Sequence, residues 1–334
     1  MRIAINGFGR IGRVFLRSLL SDKKNKNIKV IAINDRSEAS ILSHLFKYDS
    51  IHGKFNGTVS HTKNSIKVNG NNIQVLNEMD PSKLSWKKLN IDYVIECTGK
   101  FLTKELASKH IQAGAKKVIL SAPPKDPKIK EVCYGINHKT IKKSDKIISN
   151  ASCTTNCMAP IVKIIDDKLK INKAYMLTVH AMTNTQKIMD SSNKDPRRSR
   201  SAVNNLIPTS TGFTKAIVEI FPKLKGKIDG MAVRAPVIDG SLIDFVVNTK
   251  KSTNIEELNK LFLNASKSSM KEILEYSTEE LVSTDIIGNS KSCVFDSKLT
   301  KVNGNFIKVT AWYDNECGYS NRIIDLIKYI DKLK

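Results

Sequence analysis

What the chain lacks narrows its class. No apolar run approaches the roughly 18 residues that cross a bilayer, so no membrane-spanning helix is expected. The opening stretch, MRIAINGFGRIGR, lacks the unbroken apolar centre of a secretory signal and reads directly as folded structure. A cytoplasmic location is therefore the expectation. The six cysteines (Cys97, Cys133, Cys153, Cys157, Cys293 and Cys317) make no disulfide framework. No Cys-x2-Cys or His-x3-His pair suggests a zinc site, so no metal is assigned. Acidic residues are the scarcer charge: 32 Asp and Glu stand against 55 Lys and Arg, a formal net charge of +23. Arginine, the usual reader of base edges, is also scarce, and the lysines form only short doublets such as Lys116-Lys117 and Lys142-Lys143. A solvated basic surface is the favoured reading; a nucleic-acid or other polyanion partner is the alternative of another class.

What is present points to a folded enzyme of ordinary size. With 334 residues, 40% hydrophobic and 26% charged, the chain can build two packed domains. The first half alternates strand and helix. Residues 2–6 read as a strand, Gly7-Phe8-Gly9-Arg10-Ile11-Gly12 as a turn into a helix whose Ile11, Phe15 and Leu19 share one face, and 28–34 as a second strand ending at Asp35. This is a βαβ unit with a parallel sheet. A helix over 38–48, short antiparallel strands over 54–76 with a turn at Asn69-Gly70, a strand at 91–96, a helix over 104–113 stopped at Gly114, and strands at 117–120 and 146–149 follow. Beyond residue 150 a helix is expected over 153–169, kinked or specially started by Pro160. Long strands then dominate: 174–182, 230–237, 242–249, 293–299 and 306–313, the last two joined by a turn at Asn303-Gly304. Helices at 255–267 and 321–334 complete the pattern. The expected class is α/β: a Rossmann-type parallel-sheet dinucleotide domain (1–152) and an α+β catalytic domain with a mostly antiparallel sheet (153–318). The C-terminal helix, 319–334, returns to the first domain.

Gly-x-Gly-x-x-Gly alone is weak evidence. Here it follows a strand, opens a helix, and precedes an acidic residue at the end of the next strand. Gly7 permits the tight turn, Gly9 lets the backbone approach a pyrophosphate, and Gly12 lets the helix pack against the sheet. Unpaired N–H groups at the helix start offer positive charge to phosphates. Asp35 is placed to bind ribose hydroxyls and repels a 2′-phosphate. Arg36 follows at once and can accommodate that phosphate, or can be a solvated loop residue, so this region alone leaves NAD and NADP even.

The densest cluster of reactive groups is Ser149-Asn150-Ala151-Ser152-Cys153-Thr154-Thr155-Asn156-Cys157, between a strand end and a helix start. There the helix terminus favours a thiolate, making Cys153 a nucleophile; the competing reading is that Ser152 caps the helix and Cys153 is inert. His180 is the one histidine sharing the second half with Cys153 and is the candidate base, although a lone strand histidine is more often a satisfied core or surface residue. Lys194–Arg200 and Pro208–Gly212 read either as an exposed charged loop and polar turn or as a phosphate site built of arginine forks, hydroxyls and glycine backbone. Arg234 stands in an otherwise apolar strand, which implies a partner.

These residues resemble the phosphorylating glyceraldehyde-3-phosphate dehydrogenases along the whole chain. The blocks that carry the likeness are INGFGRIGR at the start, AIND at 32–35, KYDSIHGKF at 47–55, ECTGKF at 96–101, SNASCTTNC at 149–157, TVHAMTNTQ at 178–186, KDPRRSR at 194–200, IPTSTGF at 207–213, GMAVRAPV at 230–237 and WYDNECGYS at 312–320. The resemblance implies oxidation of glyceraldehyde 3-phosphate with NAD(P) and inorganic phosphate to 1,3-bisphosphoglycerate, in glycolysis or gluconeogenesis, by a homotetramer. Cys153 would form a thioester, with His180 handling the proton. Thr183 and Arg234 would hold the substrate phosphate. Ser152, Thr154, Thr211 and Gly212 would surround inorganic phosphate, with Arg198 nearby. Arg10, Ile11, Thr98 and Ser121 would line the dinucleotide, and Asn315 and Tyr319 its nicotinamide end. The sequence departs from the family at Arg36-Ser37 and at Ser191-Ser192, where NAD-specific members carry bulkier or apolar residues; both departures lean towards dual NAD/NADP use. Cys317 and Phe213 also depart, without explanation from sequence. Erythrose-4-phosphate dehydrogenase, which hydrolyses the thioester, is the nearest alternative.

Overall fold

The computed structural model describes residues 1–333. The chain divides into two compact units, one built from residues 1–132, 138–151 and 320 onwards, the other from 133–137 and 152–319.

In the first unit β1 (Arg2–Asn6), α1 (Arg10–Ser21), β2 (Lys29–Asn34) and α2 (Ala39–Lys47) open the chain. A small ribbon, β3 (Tyr48–Asp49) with β4 (Gly53–Lys54), leads to β5 (Val59–Thr62), β6 (Ser65–Val68) and β7 (Asn71–Leu76). Then come β8 (Tyr93–Glu96), α3 (Lys104–Gln112), β9 (Lys117–Leu120), β10 (Lys130–Glu131) and β11 (Ile147–Ser149). The sheet order is β10-β11-β9-β8-β1-β2-β7-β6-β5. It is parallel from β10 to β7, and β6 and β5 add antiparallel. The central strands are apolar on both faces because helices cover both, as parallel sheets require. Ile3, Ile5, Val94, Ile95, Val118 and Ile119 are fully buried. Asn69 and Gly70 both have positive φ, the two-residue turn that joins β6 to β7. Gly114, with φ +103°, ends α3 as the sequence suggests.

The second unit holds α4 (Cys153–Leu169), β12 (Ile171–His180), β13 (Ile207–Thr209), α5 (Phe213–Ile220), β14 (Ile228–Arg234) and β15 (Ser241–Thr249). It continues with α6 (Ile255–Lys267), β16 (Leu274–Ser277), β17 (Cys293–Asn303), β18 (Phe306–Tyr313) and the start of α7 (Cys317–Asp331), whose residues from Ser320 belong to the first unit. Its sheet runs β13-β14-β12-β15-β18-β17-β16 and is antiparallel except at β12–β14 and β16–β17. Helix α4 packs on β12, β15, β17 and β18 and is buried on nearly every face. It runs on through Pro160, which has no N–H to give to the helical ladder.

Three expectations need correction. The turn before β18 lies at Gly304-Asn305, not Asn303-Gly304: Asn303 still pairs with Phe306, and only Gly304 takes positive φ, the pattern of a II′ turn. Helix α7 begins at Cys317, four residues earlier than the apolar stripe suggests, because Asp314 accepts hydrogen bonds from the Glu316 and Cys317 N–H groups and so starts the helix. Helix α5 is not expected from the sequence; Phe213 opens it and is fully buried, which accounts for a large residue there. Among the described residues no helix is long and apolar enough to cross a membrane.

Candidate active site

Each unit carries its own cluster of the residues singled out from sequence. In the first, Gly7 has φ +91°, and a Cβ there would meet the Thr98 backbone nitrogen and methyl at 2.9 Å. A Cβ on Gly12 would strike the Gly7 carbonyl oxygen, so the third glycine does let α1 close onto the loop. A Cβ on Gly9 would meet nothing within 4 Å, so this backbone faces open space. The first helical bond of α1 runs from Arg13 N to Gly9 O, so the Ile11 and Gly12 N–H groups at the helix start are not used by the helix's own bonding. That cradle suits a pyrophosphate. Asp35 accepts from Phe8 N at 2.8 Å and from Ser37 N at 3.0 Å, one bond per oxygen, which fixes the carboxylate and leaves acceptor capacity on each oxygen for ribose hydroxyls. The residues present therefore fit a dinucleotide.

Around this loop, Arg10 donates to Asp49 at 2.6 Å. Burial works against the Asp49 charge, but the Arg10 bond and the His52 and Ile51 N–H groups hold its pKa down to about 2. Arg10 is thus oriented by a fixed anion. Arg36 is exposed, and its carbonyl accepts from Asn77. Ser121 donates its N–H to the Glu96 carbonyl at 2.9 Å, which places it at the end of β9 beside Cys97 and Thr98.

In the second unit, Ser152 caps α4: its Oγ accepts from Thr155 N at 3.0 Å. Capping and reactivity are not rivals here, because both roles are provided for. The next residue, Cys153, places its Sγ 3.4 Å from His180 Nε2. The preceding residue, Ala151, holds φ +55°, an uncommon conformation for a side-chain-bearing residue at the turn into the helix. Cys157, one turn on, is fully buried.

His180 ends β12 and lies opposite Arg234 of β14 in register. Its Nδ1 sits 2.8 Å from the Ala181 carbonyl and also touches Arg234 Nη1, which itself donates to that carbonyl at 3.1 Å. Burial and then the Arg234 charge lower the His180 pKa to about 3, against the Ala181 carbonyl, so the ring is neutral at physiological pH. The expected thiolate is not favoured here. Burial of the Cys153 sulfur raises its pKa, and the nearby Arg234 charge and the Thr154 N–H and hydroxyl only partly oppose it. The resting pair is neutral thiol and neutral imidazole.

Sequence reasoning misses Tyr313. Its hydroxyl bonds Thr154 Oγ1 at 3.0 Å and Thr178 Oγ1 at 2.9 Å, and its ring stands edge-on to His180. It ties the head of α4 to β12. The only available sign is the alternation of β18, which turns Tyr313 inwards with Ala311.

Of the anion-binding candidates, Arg198 and Arg234 are brought together. Arg198 donates to Thr209 Oγ1 at 2.7 Å and to Ser210 O at 3.3 Å, and β13 carrying Thr209 pairs with β14 carrying Arg234. The two guanidinium groups are close enough that Arg198 lowers the Arg234 pKa, after burial. Thr211 Oγ1 accepts from Phe213 N, and Gly212 caps α5 beside open space. Thr183 bonds Thr185 and Gln186 in a short turn. Asn315 is buried, and Ser241 donates to its Oδ1 at 2.7 Å. Tyr319 is buried in α7, whereas Ser192 is exposed in the 187–201 loop and joins none of these clusters. Cys317 directs its Sγ to the Gly288 carbonyl at 3.4 Å.

Known proteins with the same pattern agree. The family model for the glyceraldehyde 3-phosphate dehydrogenase NAD binding domain matches residues 1–104, and that for the C-terminal domain matches 152–315. The glyceraldehyde-3-phosphate dehydrogenase of Pseudomonas aeruginosa is 46% identical over 325 residues, covering 97% of this chain and 96% of that protein. Those of Priestia megaterium and Chlamydia pneumoniae are each 47% identical, covering 99% of this chain and 98% and 99% of those proteins. The chain belongs to the glyceraldehyde-3-phosphate dehydrogenase family of NAD-dependent oxidoreductases.

Proposed function

We propose that the chain oxidises glyceraldehyde 3-phosphate to 1,3-bisphosphoglycerate through a Cys153 thioester cleaved by inorganic phosphate. The carrying observation is Cys153 Sγ 3.4 Å from His180 Nε2 at the head of α4. The Cys153 sulfur attacks the aldehyde carbon while His180 Nε2 takes the thiol proton, so a neutral pair suffices at the start. The imidazole proton is assigned to Nδ1 and donated to Ala181 O; Arg234 Nη1, which can only donate, then bonds that carbonyl and not the ring, and Nε2 is bare towards the sulfur. The aldehyde oxygen becomes an oxyanion, stabilised by the Cys153 N–H at the helix terminus and then by the protonated His180. A dinucleotide held by the Gly7–Gly12 loop and Asp35 would supply the hydride acceptor; once hydride has left this carbon, its carbon–oxygen double bond re-forms as the thioester. Inorganic phosphate then adds, and the sulfur leaves as the free thiol.

Arg234 and Thr183 are assigned to the substrate phosphate, and Ser152, Thr154, Thr211, Gly212 and Arg198 to inorganic phosphate. A phosphate drawn to Arg234 would offset the charge that depresses His180 and so couple substrate binding to proton uptake. Arg36, exposed beside Asp35, supports use of NADP as well as NAD. Ser192 adds to that reading by side-chain size alone. A homotetramer is supported by large exposed apolar side chains on the second unit, among them Tyr175, Ile188, Met189 and Leu206. A cytoplasmic location belongs to the same reading.

Steady-state kinetics with NAD and with NADP, with and without phosphate, test it. Absence of acyl-phosphate product in the presence of phosphate overturns the reaction. NAD-only turnover overturns the dual cofactor use and leaves the reaction standing.

A further inference from the structure

Beneath the Gly-rich loop lies a buried carboxylate to which no part of this reading gives a role. Glu96, the last residue of β8, is fully buried, so it cannot touch a ligand. Its Oε2 accepts from Asn6 Nδ2 at 2.6 Å and faces His110 Nε2 at 3.1 Å. Its Oε1 accepts from Thr98 N at 2.7 Å and from the Thr98 hydroxyl. The His110 ring is oriented by Trp86, whose indole Nε1 lies 3.0 Å from His110 Nδ1. An indole nitrogen only donates, so Nδ1 is the acceptor and the ring proton is on Nε2, directed at Glu96. The carboxylate is thus held by four donors, and the hydrogen-bond pattern leaves the imidazole neutral. This is a buried negative charge satisfied by hydrogen bonds alone.

Its neighbours give it a purpose. Asn6 ends β1 and Asn34 ends β2, and Asn34, Asn6 and Glu96 stand in one row across three adjacent strands. Asn6 Oδ1 accepts from Asn34 Nδ2 at 2.7 Å, so the row is continuous. Backbone bonds reinforce it: Gly7 N donates to Asn34 O at 2.8 Å and Cys97 N to Asn6 O at 2.7 Å. The residues that immediately follow the row are Gly7, Asp35 and Cys97-Thr98, the segments assigned above to the dinucleotide. Thr98 N and Cγ2 also abut Gly7 where a Cβ would sit, so a shift of Thr98 alters the space beside the first glycine. The Thr98 hydroxyl donates to Glu96 and accepts from Lys100 N, which leaves it no hydrogen for a phosphate oxygen.

We propose that Glu96 is a positioning residue for the dinucleotide: its buried carboxylate sets the spacing of the three strand ends that bind the cofactor, and through it the affinity. This rests on the dinucleotide reading of the first unit. Glu96→Gln is the informative change, because an amide turns one acceptor atom into a donor that must face existing donors. Asn6 can answer only by flipping its amide, and then Asn34 Nδ2 keeps the Glu78 carbonyl but loses the acceptor that ties it into the row. Adding Asn6→Asp moves the carboxylate one strand over. There it can accept from the amide introduced at position 96, from Asn34, and from His110, whose Nε2 is already 3.4 Å from the Asn6 amide.

The test is calorimetric titration of the full chain with NAD and with ADP-ribose, alongside melting temperature and kcat at saturating NAD. Glu96→Gln is expected to weaken both ligands about tenfold while kcat falls much less, and the Asn6→Asp/Glu96→Gln pair to recover most of the affinity. If the single variant does not fold, Asn34→Ala breaks the row while leaving Glu96 fully bonded, and is expected to weaken ADP-ribose several-fold. A folded Glu96→Gln or Asn34→Ala protein that binds like the parent overturns the proposal, as does a double variant no better than the single. Failure of the parent to bind either ligand would instead overturn the dinucleotide reading itself.

Discussion

At the scale of single residues, the chemistry rests on a sulfur and a ring that are both neutral at rest. Cys153→Ser is expected to lower turnover by about 10⁴-fold or more, because a hydroxyl beside the same imidazole is a far weaker nucleophile. Full turnover by that variant would remove the nucleophile from the scheme. The raised Cys153 pKa has its own signature. In the ligand-free protein, the rate of alkylation by iodoacetamide should keep rising with pH beyond about 9, past the ordinary thiol range. A plateau near neutrality would mean a standing thiolate. His180 carries the opposite sign. Its folded pKa, about 3, lies below its unfolded value of about 6.5, so the unfolded chain binds the extra proton. Stability from this site is complete above about pH 6.5 and is lost as pH falls towards about 3. In urea melts, His180→Gln should therefore lose less stability between about pH 6.5 and about pH 4.5 than the parent does. A parallel decline would place the acid sensitivity elsewhere. Arg234→Ala should reduce kcat/KM for the phosphorylated aldehyde by about 10²-fold, the worth of a charge-assisted bond to phosphate, and much less for unphosphorylated glyceraldehyde.

At the scale of elements, legibility follows how local the cause is. Helices α4 and α6 and strand β18 are readable to the residue because periodicity and caps lie within each segment. The turn after β17 is misplaced by one residue because Asn-Gly suggests a I′ turn, whereas the pairing of β17 with β18 carries Asn303 into the ladder. Helix α5 is missed because its apolar face follows directly on a Pro-Thr-Ser-Thr-Gly stretch that reads as loop. At the site, Cys153 and the Gly-rich loop are visible because each lies in one short segment. The Tyr313 bridge and the Glu96 row are not, because each joins strands far apart in sequence and no local rule pairs them. Local causes also permit a clean stability test. Asn254 caps α6 by accepting from Glu257 N at 2.9 Å. Asn254→Ala should destabilise the protein by about 1 kcal/mol with kcat unchanged. An unshifted melting temperature would mean that the cap contributes nothing.

At the scale of the whole molecule, the net charge of +23 and the exposed apolar side chains of the second unit act against each other. Subunits of identical charge repel, and the repulsion is screened within about 10 Å at about 0.1 M salt. The proposed homotetramer has to overcome it with apolar burial, which salt weakens little. Assembly should therefore strengthen as salt rises: sedimentation velocity at a fixed low protein concentration should show more tetramer at about 0.3 M than at about 0.02 M NaCl. Intersubunit ion pairs as the main adhesive would give the reverse trend. Leu206→Asp, which places a charge at a 69% exposed apolar position, should shift the population towards smaller species at every salt concentration if that face is covered in the assembly. An unchanged distribution would show that Leu206 stays in water, and the apolar face would need another explanation.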